Sequence, residues 1–192
     1  MSLMRTSRVI LHLNARDGRP YLIREAEKSD AAQLLAHART ILAEPYWSIT
    51  EPHEFRLSVA QEEAWIEDFQ TRPHSIILVA DMGNHSQPQI IGVVNLMGQT
   101  RFRMRHRGRL GIGVQVPYRG QGIGEALLRA LLEWAANEPE LERVELSVFA
   151  HNQRALNLYR KLGFEEEGRA LRAFKLADGS YYDDVQMVRW VK

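Results

Sequence analysis

The chain has 192 residues, no cysteine, and 25 basic against 24 acidic residues, for a formal net charge of +1. One domain with an ordinary core fits that length, while disulfides, thiolate metal sites and a cysteine nucleophile are excluded, and the charge balance gives no global pull toward nucleic acid or an anionic membrane. No run approaches the ~18 apolar residues of a spanning helix, and the N-terminus lacks the apolar core of a signal peptide, so a soluble, cytoplasmic protein is expected.

The doubled start, Met1 to Met4, reads as an addition ahead of a native Met4. Residues 1–20 are taken as an N-terminal extension and residues 21–192 as a single domain. Residues 21–25 read as a short strand. Ser29 or Asp30 caps a helix running to about Ala43, with Ala31, Leu34, Leu35, Ala38, Ile41 and Leu42 at helical spacing, and Glu44-Pro45 stops it. Residues 46–57 show no period and read as a loop with room for one helical turn. Ser58 and Gln61 form a capping box before a second helix carrying Ala64, Trp65, Ile66 and Phe69, which ends at Arg72-Pro73.

Residues 75–81 form an isoleucine-rich apolar run, a buried strand. Gly83, Asn84, Ser86 and Pro88 mark a turn, and residues 90–97 and 110–116 read as further strands, the latter ending at Pro117. Residues 122–137 give the strongest helix, with Ile123, Ala126, Leu127, Ala130, Leu131, Trp134 and Ala135 on one face. Residues 144–148 alternate as a half-buried strand. Asn152 caps a short helix that ends at Gly163, and two more strands follow, from Phe164 and over residues 181–191, joined by Asp178-Gly179. The order β α α β β β α β α β β predicts a mixed α/β domain around one sheet.

The segment Val114-Gln115-Val116-Pro117-Tyr118-Arg119-Gly120-Gln121-Gly122-Ile123-Gly124 joins a strand to the strongest helix. Glycines let backbone amides approach a ligand, and a helix start adds unpaired N–H groups and the positive end of the dipole, which together suit a pyrophosphate. The glycine spacing is not that of the dinucleotide fingerprint, and Glu125 stands where a Walker motif needs lysine. A turn used only for tight packing is the alternative.

The run from Arg119 to Gly124 matches the [QR]-x-x-G-x-[GA] motif, and the segment from Asn152 to Phe164 matches N-x-x-A-x-x-L-Y-x-K-x-G-F. In both motifs, in their order and in the element order around them, the chain resembles the GNAT superfamily of acetyl-coenzyme A-dependent N-acetyltransferases. That resemblance implies a mostly antiparallel mixed sheet, flanked by helices and splayed at the coenzyme site, and no metal. It implies that Arg119, Gly120, Gln121, Gly122, Ile123 and Gly124 hold the coenzyme A pyrophosphate, mainly through backbone N–H groups. Val114, Gln115 and Val116 would pair with the pantetheine arm, one of their amides polarising the acetyl carbonyl. Asn152 would contact the pantetheine, although a plain helix cap is its structural role. Tyr159 would protonate the departing thiolate, although a core tyrosine fits the same helix face.

The histone-acetylating branch places a basic glutamate upstream of the turn. The matching positions here are near Gly108 and Arg109, with no carboxylate, which leaves Glu51, Glu54, Glu63 or a water chain to take the proton. Arg101, Arg103, Arg105, Arg107 and Arg109 alternate with other residues, so a strand there would put five guanidiniums on one face, either to attract an acidic acceptor or simply to meet solvent. Residues 181–184 either face the acceptor or form a polar turn. The expected function is direct acetyl transfer to a primary amine of a small molecule or a protein N-terminus, by a monomer or a homodimer. The alternatives are an acyl-coenzyme A-binding regulatory module without turnover and, through the arginines, a nucleic-acid binder.

Overall fold

A computed structural model describes residues 10–44, 48–83 and 87–192. The doubled start, Pro45, and the Asn84 and Ser86 parts of the expected turn lie outside the described residues. One eight-stranded sheet carries the fold, in the order β1-β2-β3-β4-β5-β6-β8-β7. Its strands are β1 (Ile10–Asn14), β2 (Pro20–Glu25), β3 (Ile76–Asp81), β4 (Ile90–Gly98), β5 (Arg107–Val114), β6 (Arg143–Phe149), β7 (Glu165–Lys175) and β8 (Tyr181–Trp190). Four α-helices accompany it: α1 (Ala31–Leu42), α2 (Val59–Thr71), α3 (Ile123–Asn137) and α4 (Gln153–Lys161).

Strand β1, within the stretch set aside as an extension, pairs antiparallel with β2 across a loop that turns at Gly18 (φ +86°). The second helix keeps its capping box: Ser58 N–H donates to Gln61 Oε1 (2.9 Å) and Gln61 N–H to Ser58 Oγ (3.3 Å). Asp30 behaves differently from the expected cap. A short 3₁₀ turn precedes α1, and the Asp30 carboxylate turns instead to Arg24, which it meets at 2.6 and 2.8 Å. In the described part of the 46–57 loop, a single turn is closed by Glu54 N–H on Glu51 O.

The five-arginine stripe is a correction. Antiparallel pairing of β4 with β5 ends at Gly98 and Gly108, so the chain must reverse over the intervening residues. Arg101, Arg103 and Arg105 lie in or beside that connection's 3₁₀ turn, and only Arg107 and Arg109 stand on a strand. Arg105 and Arg107 are also paired, with Glu140 and Glu145.

Helix α3 packs Leu127, Leu128 and Leu131, all fully buried, against one face of the sheet. The fit is close: a methyl group on Gly92 of β4 would come within 3.0 Å of Leu127. Helices α1 and α2 cover the other face through Leu34, Ile66 and Phe69 on Ile77 and Val79. Strands β5 and β6 are the parallel pair, and their ladder runs only from Arg107 and Arg143 to Arg109 and Glu145. Beyond it β5 stays with β4 as far as Val114, while β6 stays with β8 as far as Phe149. A wedge therefore opens between the two strands toward their C-terminal ends.

Candidate active site

The wedge forms a cleft of about 350 Å³. Its first wall is the free edge of β5. Gln115 N–H donates to Ile91 O (3.0 Å), so by antiparallel alternation the odd-numbered residues of β5 bond to β4. Ile112 and Val114 consequently turn their backbone groups away from β4, toward the gap. The Val114 carbonyl is taken by Arg119 Nε (2.7 Å), whose two outer nitrogens hold both oxygens of Glu44 at 2.5 Å. This brace ties the end of β5 to the chain just beyond α1.

After Val114 the chain runs through Gln115 into a 3₁₀ turn at Val116–Tyr118 and then into the glycine-rich segment. Gly120 (φ +79°) and Gly122 (φ +87°) are left-handed, a conformation that side chains with a Cβ rarely adopt. Among the described residues, the amides of residues 120–125 donate to no other backbone group. They gather at the start of α3, the end that favours anions.

The second wall is α4. Asn152 Oδ1 accepts from Ala155 N–H (3.1 Å), the helix-cap bond, and the residue also lines the cleft. Tyr159 is 7% exposed and packs edge-on to Phe164 at 5.8 Å. Its hydroxyl has no hydrogen-bond partner among the described residues, and burial pushes its pKa up to about 12. It is thus a neutral phenol with a free donor facing the cleft.

The structure brings Val114, Arg119, Gly120, Gly122, Gly124, Asn152 and Tyr159 together at this cleft. Four expected residues turn their side chains elsewhere, while the amides of Gln121 and Ile123 stay in the turn. The Gln115 side chain points to the α1 face, donating to Ile90 O (3.0 Å) and lying 3.4 Å from His37 Nδ1. Val116 has left the strand, which Pro117 ends early, and is exposed. The Gln121 side chain accepts from Asp17 N–H (3.1 Å), and Ile123 is buried in the core. Arg16, Ile41, Ile112, Tyr118, Arg154 and Leu158 line the cleft without having been expected there. Only Arg154 and Leu158 lie within a recognised motif.

The proposed carboxylate bases are not in the cleft. Glu63 is paired with Lys28, and Glu51 and Glu54 close their own exposed turn. Their neighbour Glu62 is the one turned inward, its pKa raised by burial. Glu125 does line the cleft, but Lys161 (2.7 Å) and Arg129 (2.9 Å) hold it and keep its pKa low. Behind β5, His37 is 5% exposed and burial pushes its pKa down to about 4. Its Nδ1 lies 3.4 Å from the amide nitrogen of Gln115, and its buried Nε2 has no hydrogen-bond partner among the described residues.

An acetyltransferase (GNAT) family model matches residues 36–164. The L-amino acid N-acetyltransferase AaaT of Escherichia coli (strain K12) is 32% identical over 128 residues, 67% of this chain and 76% of that protein. An N-alpha-acetyltransferase of Sulfurisphaera tokodaii is 28% identical over 165 residues, 86% of this chain and 91% of that protein. The crystal structure of a GNAT-family acetyltransferase from Streptococcus pneumoniae superimposes with a TM-score of 0.82 at 32% identity, covering 88% of this chain and 99% of that one. The chain belongs to the GNAT family of acetyltransferases, and it is an N-acetyltransferase.

Proposed function

We propose that this enzyme acetylates the α-amine of an amino acid or of a peptide N-terminus, and that the cleft between β5 and α4 is where it does so. The names of the two relatives support the acceptor class. The observation that carries the site is the meeting, in one cleft, of a row of unpartnered amides with a buried, unpartnered phenol. In this reading the amides of residues 120–124 receive the diphosphate, and Ile112 and the N–H of Val114 offer free backbone groups to the pantetheine. Gln115 and Val116 drop out as direct contacts.

Acetyl-coenzyme A supplies the activated acyl group. As the acceptor nitrogen bonds to the carbonyl carbon and the C–S bond breaks, Tyr159 gives its proton to the sulfur, and an amide of β5 steadies the carbonyl oxygen. Asn152 fixes the start of the helix that carries Tyr159. Among the described residues Glu125 is the one carboxylate lining the cleft, and two cations hold it, so the acceptor's proton is assigned to water. Direct transfer without an acetyl-enzyme fits a chain that has no cysteine.

Relatives named as transferases weigh against a binding module without turnover. The reading needs neither nucleic acid nor a membrane, holds for a monomer or a homodimer, and suits a cytoplasmic protein; no helix among the described residues is long and apolar enough to cross a membrane. The test is thiol release from acetyl-coenzyme A with a panel of acceptors across pH. Amino acids and short peptides should turn over faster than alkyl amines and polyamines. With water as base, kcat/KM should rise with pH and level off near the acceptor's own amine pKa, about 8 for a peptide N-terminus and higher for a free amino acid. A limb that stays fixed when the acceptor changes would point to a side-chain base.

A further inference from the structure

The loop between β1 and β2 lies outside the segment that the family model matches, yet it leans on the glycine-rich turn. Arg16 N–H donates to Gln121 O (3.1 Å), Asp17 N–H to Gln121 Oε1 (3.1 Å), and Arg16 Nη1 to Gly120 O (3.3 Å). The Arg16 guanidinium lines the cleft, with Nε 4.0 Å from where a side chain on Gly122 would begin.

Nothing among the described residues neutralises it. Its neighbour Asp17 is occupied by Arg19, at 2.7 and 2.9 Å, and Glu125 by Lys161 and Arg129. On the opposite wall Arg154 also lines the cleft, with no carboxylate partner among the described residues. Burial and the nearby Arg119 both lower its pKa, so the protein itself does not compensate that charge. Two unmatched guanidiniums flank a row of unpartnered amides. That combination calls for a ligand with more than one negative charge, placed where Arg16 and the turn converge.

We propose that Arg16 is a coenzyme-binding residue: the N-terminal hairpin closes over the glycine-rich turn as a clasp, and the Arg16 guanidinium pairs with the diphosphate of acetyl-coenzyme A. The planar fork of arginine matches paired phosphate oxygens. Arg19, which ties up Asp17 and stacks over Tyr118 at 5.1 Å, keeps the loop in place and leaves the Arg16 charge free. This rests on the cleft being the coenzyme site.

Calorimetry on the full chain, with coenzyme A, 3′-dephospho-coenzyme A and pantetheine as probes, tests both. The wild type should bind the two diphosphates much more tightly than pantetheine. Arg16→Gln should weaken both diphosphates roughly tenfold, leave pantetheine unchanged and keep the melting temperature, while Arg16→Lys falls between. If the wild type holds pantetheine as tightly as coenzyme A, the site reading fails and the clasp with it. If the wild type prefers the diphosphates and Arg16→Gln binds them equally well, the clasp alone fails. Weakening of coenzyme A but not of its dephospho form would move Arg16 to the 3′-phosphate and overturn the diphosphate assignment. Uniform weakening of all three probes with a lower melting temperature would reduce the hairpin to a structural support.

Discussion

The two walls of the cleft are made of different material. The wall of β5 and the turn into α3 offers backbone: the free groups of Ile112 and the N–H of Val114, and amides presented by left-handed glycines. The α4 wall offers side chains, Asn152 and Tyr159, on a short helix. A backbone wall tolerates substitution wherever φ and space allow, and its weakness lies in the scaffold behind it. A side-chain wall can be disarmed by removing one atom.

The largest effect is expected behind the backbone wall. His37 is buried and neutral, its pKa moved from 6.5 down to about 4. Because the folded value lies below the unfolded one, the associated stability is complete above pH 6.5 and is lost as the pH falls from 6.5 toward 4. A gap that wide corresponds to about 3 kcal/mol. Thermal melts across this window should show a steep fall for the wild type and a shallower one for His37→Phe. Overlaying acid profiles would remove His37 from the account of the scaffold.

Tyr159→Phe comes next and strikes the side-chain wall. It keeps the ring against Phe164 and deletes the free donor, so kcat should drop roughly 10²-fold, about 2.7 kcal/mol. Affinity for acetyl-coenzyme A and melting temperature should hold. Wild-type kcat with a lowered melting temperature would make Tyr159 a core residue and nothing more.

The smallest of the three effects is a direct block on the backbone wall. Gly122→Val introduces a branched side chain at φ +87°. It should weaken acetyl-coenzyme A at least tenfold, about 1.4 kcal/mol, by calorimetry. Unchanged affinity in a folded variant would mean that the turn does not present the amides that matter.

Both motifs could be read from the sequence because each is contiguous and each shapes its own helix end, at Gly122 and at Asn152. Strand β1 falls within residues 1–20, which read as an extension, and it joins the sheet by pairing with β2 across the loop that turns at Gly18. Arginine alternation imitated a strand because period-two patterning says nothing of where a hairpin must turn back. The end of β5 at Val114 was not legible, because residues 114–116 continue the apolar pattern into the turn containing Pro117. The Arg16 contact joins residues 104 positions apart, and no local pattern encodes such a meeting.

Strand β8 follows β7 in the chain yet lies between β6 and β7 in the sheet. Strand β7 therefore reaches the sheet only through its antiparallel hairpin with β8, the strand that pairs with β6. Arg189 of β8 also donates to the Leu162 carbonyl at the end of α4. The end of the helix bearing Tyr159 is thus tied to the sheet through the second strand of that hairpin as well as through the buried Leu156 and Leu162.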